Sequence, residues 1–256
     1  MSLRVGVDLD GVVADFRSAF EAAAAEAGVA VRPGDVERTV ADPRSSREIK
    51  RIWEHVQRTP NWWVRLQPYE PAQIARLYET SRRLKWEVVF MTRRPATAGE
   101  PVQFQSQWWL EAQGFFYPAV VTVPGSRGEL ANALRLDIVV DDQVHNCVDV
   151  IGASTAKALL LRRDQPDSAV EDHATSRGIG VVSSLEEAID VLDHLHASLK
   201  DRGGRLQRLA DWFTGGSRKP AGLPDKPDRA RVPPHAPANR ASRLTWPAGS
   251  ARRAPI

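Results

Sequence analysis

Cysteine occurs once in the 256 residues, at Cys147, so no intramolecular disulfide can hold this chain together and a reducing compartment suits it. Long apolar runs are also missing. Nothing approaches the roughly 20 residues that span a bilayer, and Arg4 and Asp8 interrupt the N-terminus before a signal-type apolar segment can form. The reading is a soluble cytoplasmic protein with no membrane partner. There is no Gly-x-Ser-x-Gly elbow, no Walker loop and no dinucleotide fingerprint. His194 and His196 stand two apart, on different faces of a helix, and imply no zinc site. Cys147, on a helix behind an acidic pair, reads as a small buried hydrophobe rather than a nucleophile.

Charge is unevenly spread. The net charge is +3, but residues 201–256 carry +8 and the first two hundred carry −5. The same C-terminal segment is rich in proline and poor in apolar residues, so 215–256 is expected to be a disordered basic tail. Residues 201–214, with Leu206, Leu209, Trp212 and Phe213, suit a short docking helix before it. A positive tail can also contact nucleic acid or an acidic partner weakly, without structure of its own. The sequence assigns no oligomeric state.

In the first two hundred residues, short apolar runs at 4–9, 86–91, 119–123, 138–140, 158–161 and 180–182 alternate with helical patterns. Ile74, Leu77, Tyr78, Ser81 and Leu84 follow one helical face. Phe104, Trp108 and Ala112 form an i, i+4, i+8 row that ends at Gly114. A last helix over 185–199 opens with Ser184 and Glu187 at capping-box spacing. This alternation predicts an α/β fold, a doubly wound and mostly parallel sheet covered on both faces, with ligands at the carboxyl ends of its strands. Roughly seventy residues separate the first two strands, far more than one crossover requires. Helical patterns at 15–27 and around Ile49, Ile52, Trp53 and Val56 make residues 16–70 a small helical cap, with 1–15 and 71–200 forming the core. Trp62 and Trp63, near the return to the sheet, read either as core or as a surface on which a substrate stacks.

The first strand delivers two carboxylates, Asp8 and Asp10, to one side of the sheet's end and into a turn at Gly11. The run 136–140 delivers Asp141 and Asp142 in the same way. If those strands are neighbours, each close carboxylate pair repels by about 4 kcal/mol at 4 Å with an effective dielectric near 20. A hard divalent cation among them, Mg²⁺, relieves that repulsion. A calcium loop does not fit, because no glutamate stands at its twelfth position. Asp142 and Asn146 have a plainer reading as caps of the next helix.

Three stations together resemble a known family. Asp8-Leu-Asp10-Gly11-Val12 is similar to the first motif of the haloacid dehalogenase superfamily, Met91-Thr92-Arg93-Arg94-Pro95 to its second, and Asp141-Asp142-Gln-Val-His-Asn146 to its acidic fourth. They lie in the family's order, across residues 1–150. The early cap and the Gln107-Trp108-Trp109-Leu110 helix look most like the 5'(3')-deoxyribonucleotidases and their bacterial relatives. The resemblance implies a Rossmann-like core and a Mg²⁺-dependent phosphomonoester hydrolase, acting on a nucleotide monophosphate or another small phosphate ester. In that scheme Asp8 is the nucleophile that becomes an aspartyl-phosphate, and Asp10 is the general acid and base. Thr92 and Arg93 bind the phosphoryl group, Trp62 and Trp63 contact the substrate, and Asp8, Asp10, Asp141 and Asp142 are the metal site.

One station departs from the family pattern. The third motif is normally a lysine, whereas the residue best placed here is Arg127 in Gly125-Ser-Arg127-Gly128. A guanidinium carries the same charge and can hold phosphate at two points. Lys157 is poorer on position, and Arg93 and Arg94 are further sources of positive charge. The departure motivates an alternative, a catalytically weak binding protein on the same fold. The basic tail motivates another, a nucleic-acid-associated end phosphatase.

Overall fold

The computed structural model describes residues 2–30, 47–123, 125–163 and 168–200, with side chains as far as 198. The expected docking helix at 201–214 and tail at 215–256 lie outside the described residues. Six strands, β1 (Arg4–Asp8), β4 (Glu87–Thr92), β5 (Ala119–Thr122), β6 (Ile138–Asp141), β7 (Lys157–Leu161) and β8 (Gly180–Val182), form one sheet in the order β5-β4-β1-β6-β7-β8. Every pairing in it is parallel. All six runs anticipated as strands are there, and the crossovers between them are helical. Among the described residues no helix is long and apolar enough to cross a membrane.

The two-residue period of a strand explains how the sheet is covered. Ile138 and Val140 of β6, and Leu159 and Leu161 of β7, belong to one hydrophobic cluster, whereas Val139, Ala158 and Leu160 belong to the other. The first cluster is closed by α1 (Phe16–Glu26), α3 (Pro71–Leu84), α4 (Val102–Ala112) and α8 (Leu185–Lys200). The second is closed by α5 (Arg127–Ala133), α6 (Val144–Ala153) and α7 (Ser168–Ser176). Buried Ile74, Leu77 and Ser81 lie on the expected face of α3. At the start of α8, the Glu187 N–H donates to Ser184 Oγ at 3.1 Å, and the Glu187 carboxylate reaches back to the Ser183 N–H at 2.9 Å.

Between β1 and α3 the chain leaves the sheet through β2 (Ala14–Asp15) and returns through β3 (Gln67–Pro68), which pair antiparallel. Inside this excursion are α1, α2 (Arg47–Arg58) and a 3₁₀ turn, Trp62–Arg65. Asp15 caps α1 by accepting from the Ser18 N–H at 3.0 Å. Ile49, Ile52 and Val56 form the buried face of α2.

Two expectations are corrected. The Phe104/Trp108/Ala112 row of α4 points outward, with Phe104 and Trp108 among the exposed large apolar residues; the buried face is Gln105, Ser106, Trp109 and Leu110. Periodicity mistook the face because Gln105 and Ser106, though polar, are fully buried and hydrogen-bonded, as described below. Trp62 and Trp63 are core, at 3% and 1% exposure, inside an aromatic cluster with Phe16, Phe20 and Trp53. Neither tryptophan is available to a substrate.

Candidate active site

β1 lies between β4 and β6, so the carboxyl ends of these three adjacent parallel strands bring Asp8, Thr92 and Asp141 to one edge of the sheet. Past Asp8 the chain doubles back tightly: the Val13 and Ala14 N–H groups both donate to the Leu9 carbonyl, at 3.0 and 2.8 Å, and Gly11 adopts φ +88°. Asp142 packs against that glycine so closely that a Cβ there would stand 2.1 Å from Asp142 Oδ2. The turn aims Asp10 across the end of β4, where Thr92 Oγ1 donates to Asp10 Oδ2 at 3.3 Å.

Two buried arginines answer the acids. Arg127, in the first turn of α5, donates from Nη2 to Asp8 Oδ1 at 2.5 Å, and its Nε stands 3.7 Å from Asp141 Oδ2. Its Nη1 is buried and has no hydrogen-bond partner among the described residues. Arg94 forks onto Asp10, Nη2 to Oδ1 at 2.7 Å and Nε to Oδ2 at 2.9 Å. Arg93, the expected phosphate contact, is exposed; its neighbour Arg94 is the one turned inward. No pattern in the Arg93-Arg94 doublet separates the two, and only the direction in which the chain leaves β4 does.

Asp141 is completely buried and accepts from Asn146 Nδ2 at 3.0 Å and from the Gln143 N–H at 2.9 Å. Asn146 therefore serves Asp141 rather than capping α6, whose N-cap, Gln143, makes no side-chain cap. Burial pushes the Asp8 carboxyl well above the ordinary carboxylate range, with Arg127 opposing and Asp141, Asp142 and Asp10 adding to the rise. Burial also raises Asp141, against Arg127 and Asn146. Asp142 is pushed up to about 7, first by burial and then by Asp141. Burial likewise holds the Cys147 thiol well above its usual value, which suits an inert buried side chain.

Four carboxylates share this edge with two guanidiniums, an excess of negative charge in a desolvated place, and all the donors are hard oxygens. That chemistry suits a small divalent cation. Among the described residues no three acidic, histidine or cysteine side chains converge as a complete ligand set. Mg²⁺ needs only one or two carboxylates when water and a substrate oxygen complete its shell.

The described architecture recurs in solved structures. A provisionally assigned β-phosphoglucomutase from Thermotoga maritima superposes with a TM-score of 0.52 at 15% identity, covering 75% of this chain and 99% of that one. A haloacid dehalogenase-like family hydrolase from Streptococcus pneumoniae gives 0.51 at 12%, covering 75% and 98%. The fold is haloacid dehalogenase-like. A hydrolase from Pseudomonas syringae matches this haloacid dehalogenase-like core equally, at 0.51 and 15% identity over 76% of this chain and 99% of that one. No family model and no curated protein matches the sequence.

What holds Arg127 in place was not foreseen. Asp149 of α6 accepts from Ser126 Oγ at 2.8 Å and from the Gly128 N–H at 2.9 Å, clamping the start of α5. Gly128 is there because a Cβ would stand 2.2 Å from the Asp149 carbonyl oxygen and 2.8 Å from Ala153 Cβ. Gly128→Ala is expected to push α5 off α6 and cost about 1–3 kcal/mol. Urea denaturation reads this directly, and an unshifted midpoint would mean that α5 yields without cost.

Proposed function

We propose that this protein is a phosphomonoester hydrolase that works through an aspartyl-phosphate on Asp8 and depends on Mg²⁺. The observation that carries the proposal is the meeting of Asp8, Asp10, Thr92 and Arg127 around the ends of adjacent parallel strands, with a buried, unpartnered guanidinium nitrogen of Arg127 among them. Asp8, the Asp10 carbonyl and one or both of Asp141 and Asp142 would hold the cation, whose chemistry is to shield the anionic nucleophile from an anionic substrate.

The protein's own groups account for the rest. An Asp8 carboxylate oxygen forms a bond to phosphorus as the bond from phosphorus to the ester oxygen breaks. The departing oxygen keeps the electron pair and takes a proton from Asp10. A water oxygen then attacks phosphorus, its proton passes to Asp10, the acyl-phosphate bond breaks, and phosphate and the Asp8 carboxylate are regenerated. Arg127 Nη1 is a donor for the phosphoryl oxygens, and Thr92 Oγ1, whose single hydrogen lies on Asp10 in the free protein, turns to them when the substrate arrives. Nucleotide monophosphates and sugar phosphates are the substrate classes proposed.

A second reading is favoured by one contact. The Arg127–Asp8 hydrogen bond covers an oxygen of the nucleophile, as it would in a protein that binds phosphate esters without turning them over. A panel of nucleotide monophosphates, sugar phosphates and an aryl phosphate, assayed with Mg²⁺ and with EDTA, separates the two. Hydrolysis that requires the cation is expected; binding without phosphate release in every case would leave the binding protein.

A further inference from the structure

We infer that Arg94 is a positioning residue for Asp10, locked by the helical excursion and α4 so that Asp10 presents one fixed edge to the reacting oxygen; this rests on the hydrolase reading above. The side chain of Arg94 is wholly buried, whereas that of Asp10 remains 22% exposed. All three guanidinium nitrogens are engaged: Nη2 and Nε on Asp10, and Nη1 on Ser106 Oγ at 2.9 Å. The plane lies over the Trp63 ring, with Cζ 4.7 Å from the ring centroid. These bonds use three of its five N–H groups, and because the side chain has no exposed surface the rest do not face a substrate, so Arg94 acts through Asp10.

The cage around Arg94 is itself fixed. Trp63 Nε1 donates to the Pro95 carbonyl at 3.0 Å, and the Trp63 N–H donates to Gln105 Oε1 at 3.1 Å. Gln105, completely buried, donates from Nε2 to Thr97 Oγ1 at 2.9 Å and to the Glu100 carbonyl at 2.6 Å. The same loop is tied to the excursion by the Ala98 N–H on the Gln57 carbonyl at 2.7 Å and the Asn61 N–H on the Ala98 carbonyl at 2.8 Å. Hydrogen bonds thus join the excursion to the segment after β4 that carries Arg94. A carboxylate has about four lone-pair sites. The Arg94 fork takes one on each oxygen, leaving the opposite edge, to which Thr92 Oγ1 donates in the free protein, to exchange a proton with the leaving oxygen or with water.

A purely structural arginine would lower every activity alike when removed, whereas a residue acting through Asp10 should affect only the steps in which Asp10 moves a proton. Expulsion of p-nitrophenolate needs no proton, and expulsion of an alkoxide does. In single-turnover measurements, Arg94→Met is expected to slow cleavage of an alkyl phosphate by roughly 10²-fold or more, while the first release of p-nitrophenolate changes by less than about tenfold. Arg94→Lys, which keeps the charge but not the fork, should fall between. Ser106→Ala, which removes only one anchor of the guanidinium, should show the same bias on a smaller scale and covers the case in which Arg94→Met does not fold. Equal loss on both substrates, or no loss on either, overturns the assignment. Wild-type protein that cleaves neither substrate overturns the hydrolase reading itself.

Discussion

Asp8→Asn is expected to reduce phosphate-ester turnover by about 10⁴-fold or more, the scale seen when a nucleophile is removed from a cooperating set. The amide keeps the shape of the side chain but has no anionic oxygen to bond to phosphorus, and no neighbouring group can substitute. Asp141 is fully buried behind Arg127, and the Arg94 fork holds Asp10 in the place where it serves proton transfer. The fold should survive the change. Burial and three nearby carboxylates disfavour the ionised form of Asp8, and Arg127 only partly offsets them, so a neutral side chain of the same size relieves crowding. Steady-state hydrolysis beside a thermal melt tests both halves of this expectation. Activity retained in the variant would place the nucleophile elsewhere, and a collapsed melt would show that the Arg127 contact outweighs the crowding.

Stability without divalent cations should peak on the acid side of neutrality. A carboxyl whose folded pKa lies above its unfolded value binds its proton more tightly in the folded state, so stability declines as pH rises between the two values. For Asp142 that interval runs from 3.8 to about 7. Asp8 and Asp141 are displaced in the same direction. Glu70 works the other way: although burial raises it, the Leu185 N–H and Arg163 hold it below its ordinary value, so its contribution is lost as the solution is acidified below that value. The melting temperature in EDTA is therefore expected to be higher at pH 5 than at pH 8. Mg²⁺ should reverse the fall. A ligand present at a hundred times its Kd contributes about 2.7 kcal/mol, and it binds the deprotonated cluster that forms at the higher pH. Melting temperatures at pH 5 and pH 8, each with EDTA and with Mg²⁺, test the linkage. A melt that rises between pH 5 and pH 8 in EDTA, or is unmoved by Mg²⁺ at pH 8, contradicts it.

The acidic site was legible in the sequence to an uneven degree. Asp8 with Asp10, and Asp141 with Asp142, could be paired because each couple ends an apolar run, and strand ends in an alternating β/α chain fall on one edge of the sheet. Arg127 could be proposed from its place before the β6 strand, and its side chain does reach Asp8. Arg94 could not be told from Arg93. The faces of α4 were read wrongly for a related reason: hydropathy counts Gln105 and Ser106 as outward residues, yet each finds enough partners to be buried.

Strand and helix identity, and the edge on which the acids collect, were determined by the sequence alone, because residue periodicity and chain order act locally and survive without knowledge of neighbours. The partner of each charge was decided only by the tertiary structure: Arg94 on Asp10, Arg127 between Asp8 and Asp141, Asp149 clamping Gly128, and two tryptophans drawn into the core. Those choices turn on a few ångströms of approach between segments distant along the chain, where desolvation and hydrogen-bond geometry outweigh any local preference.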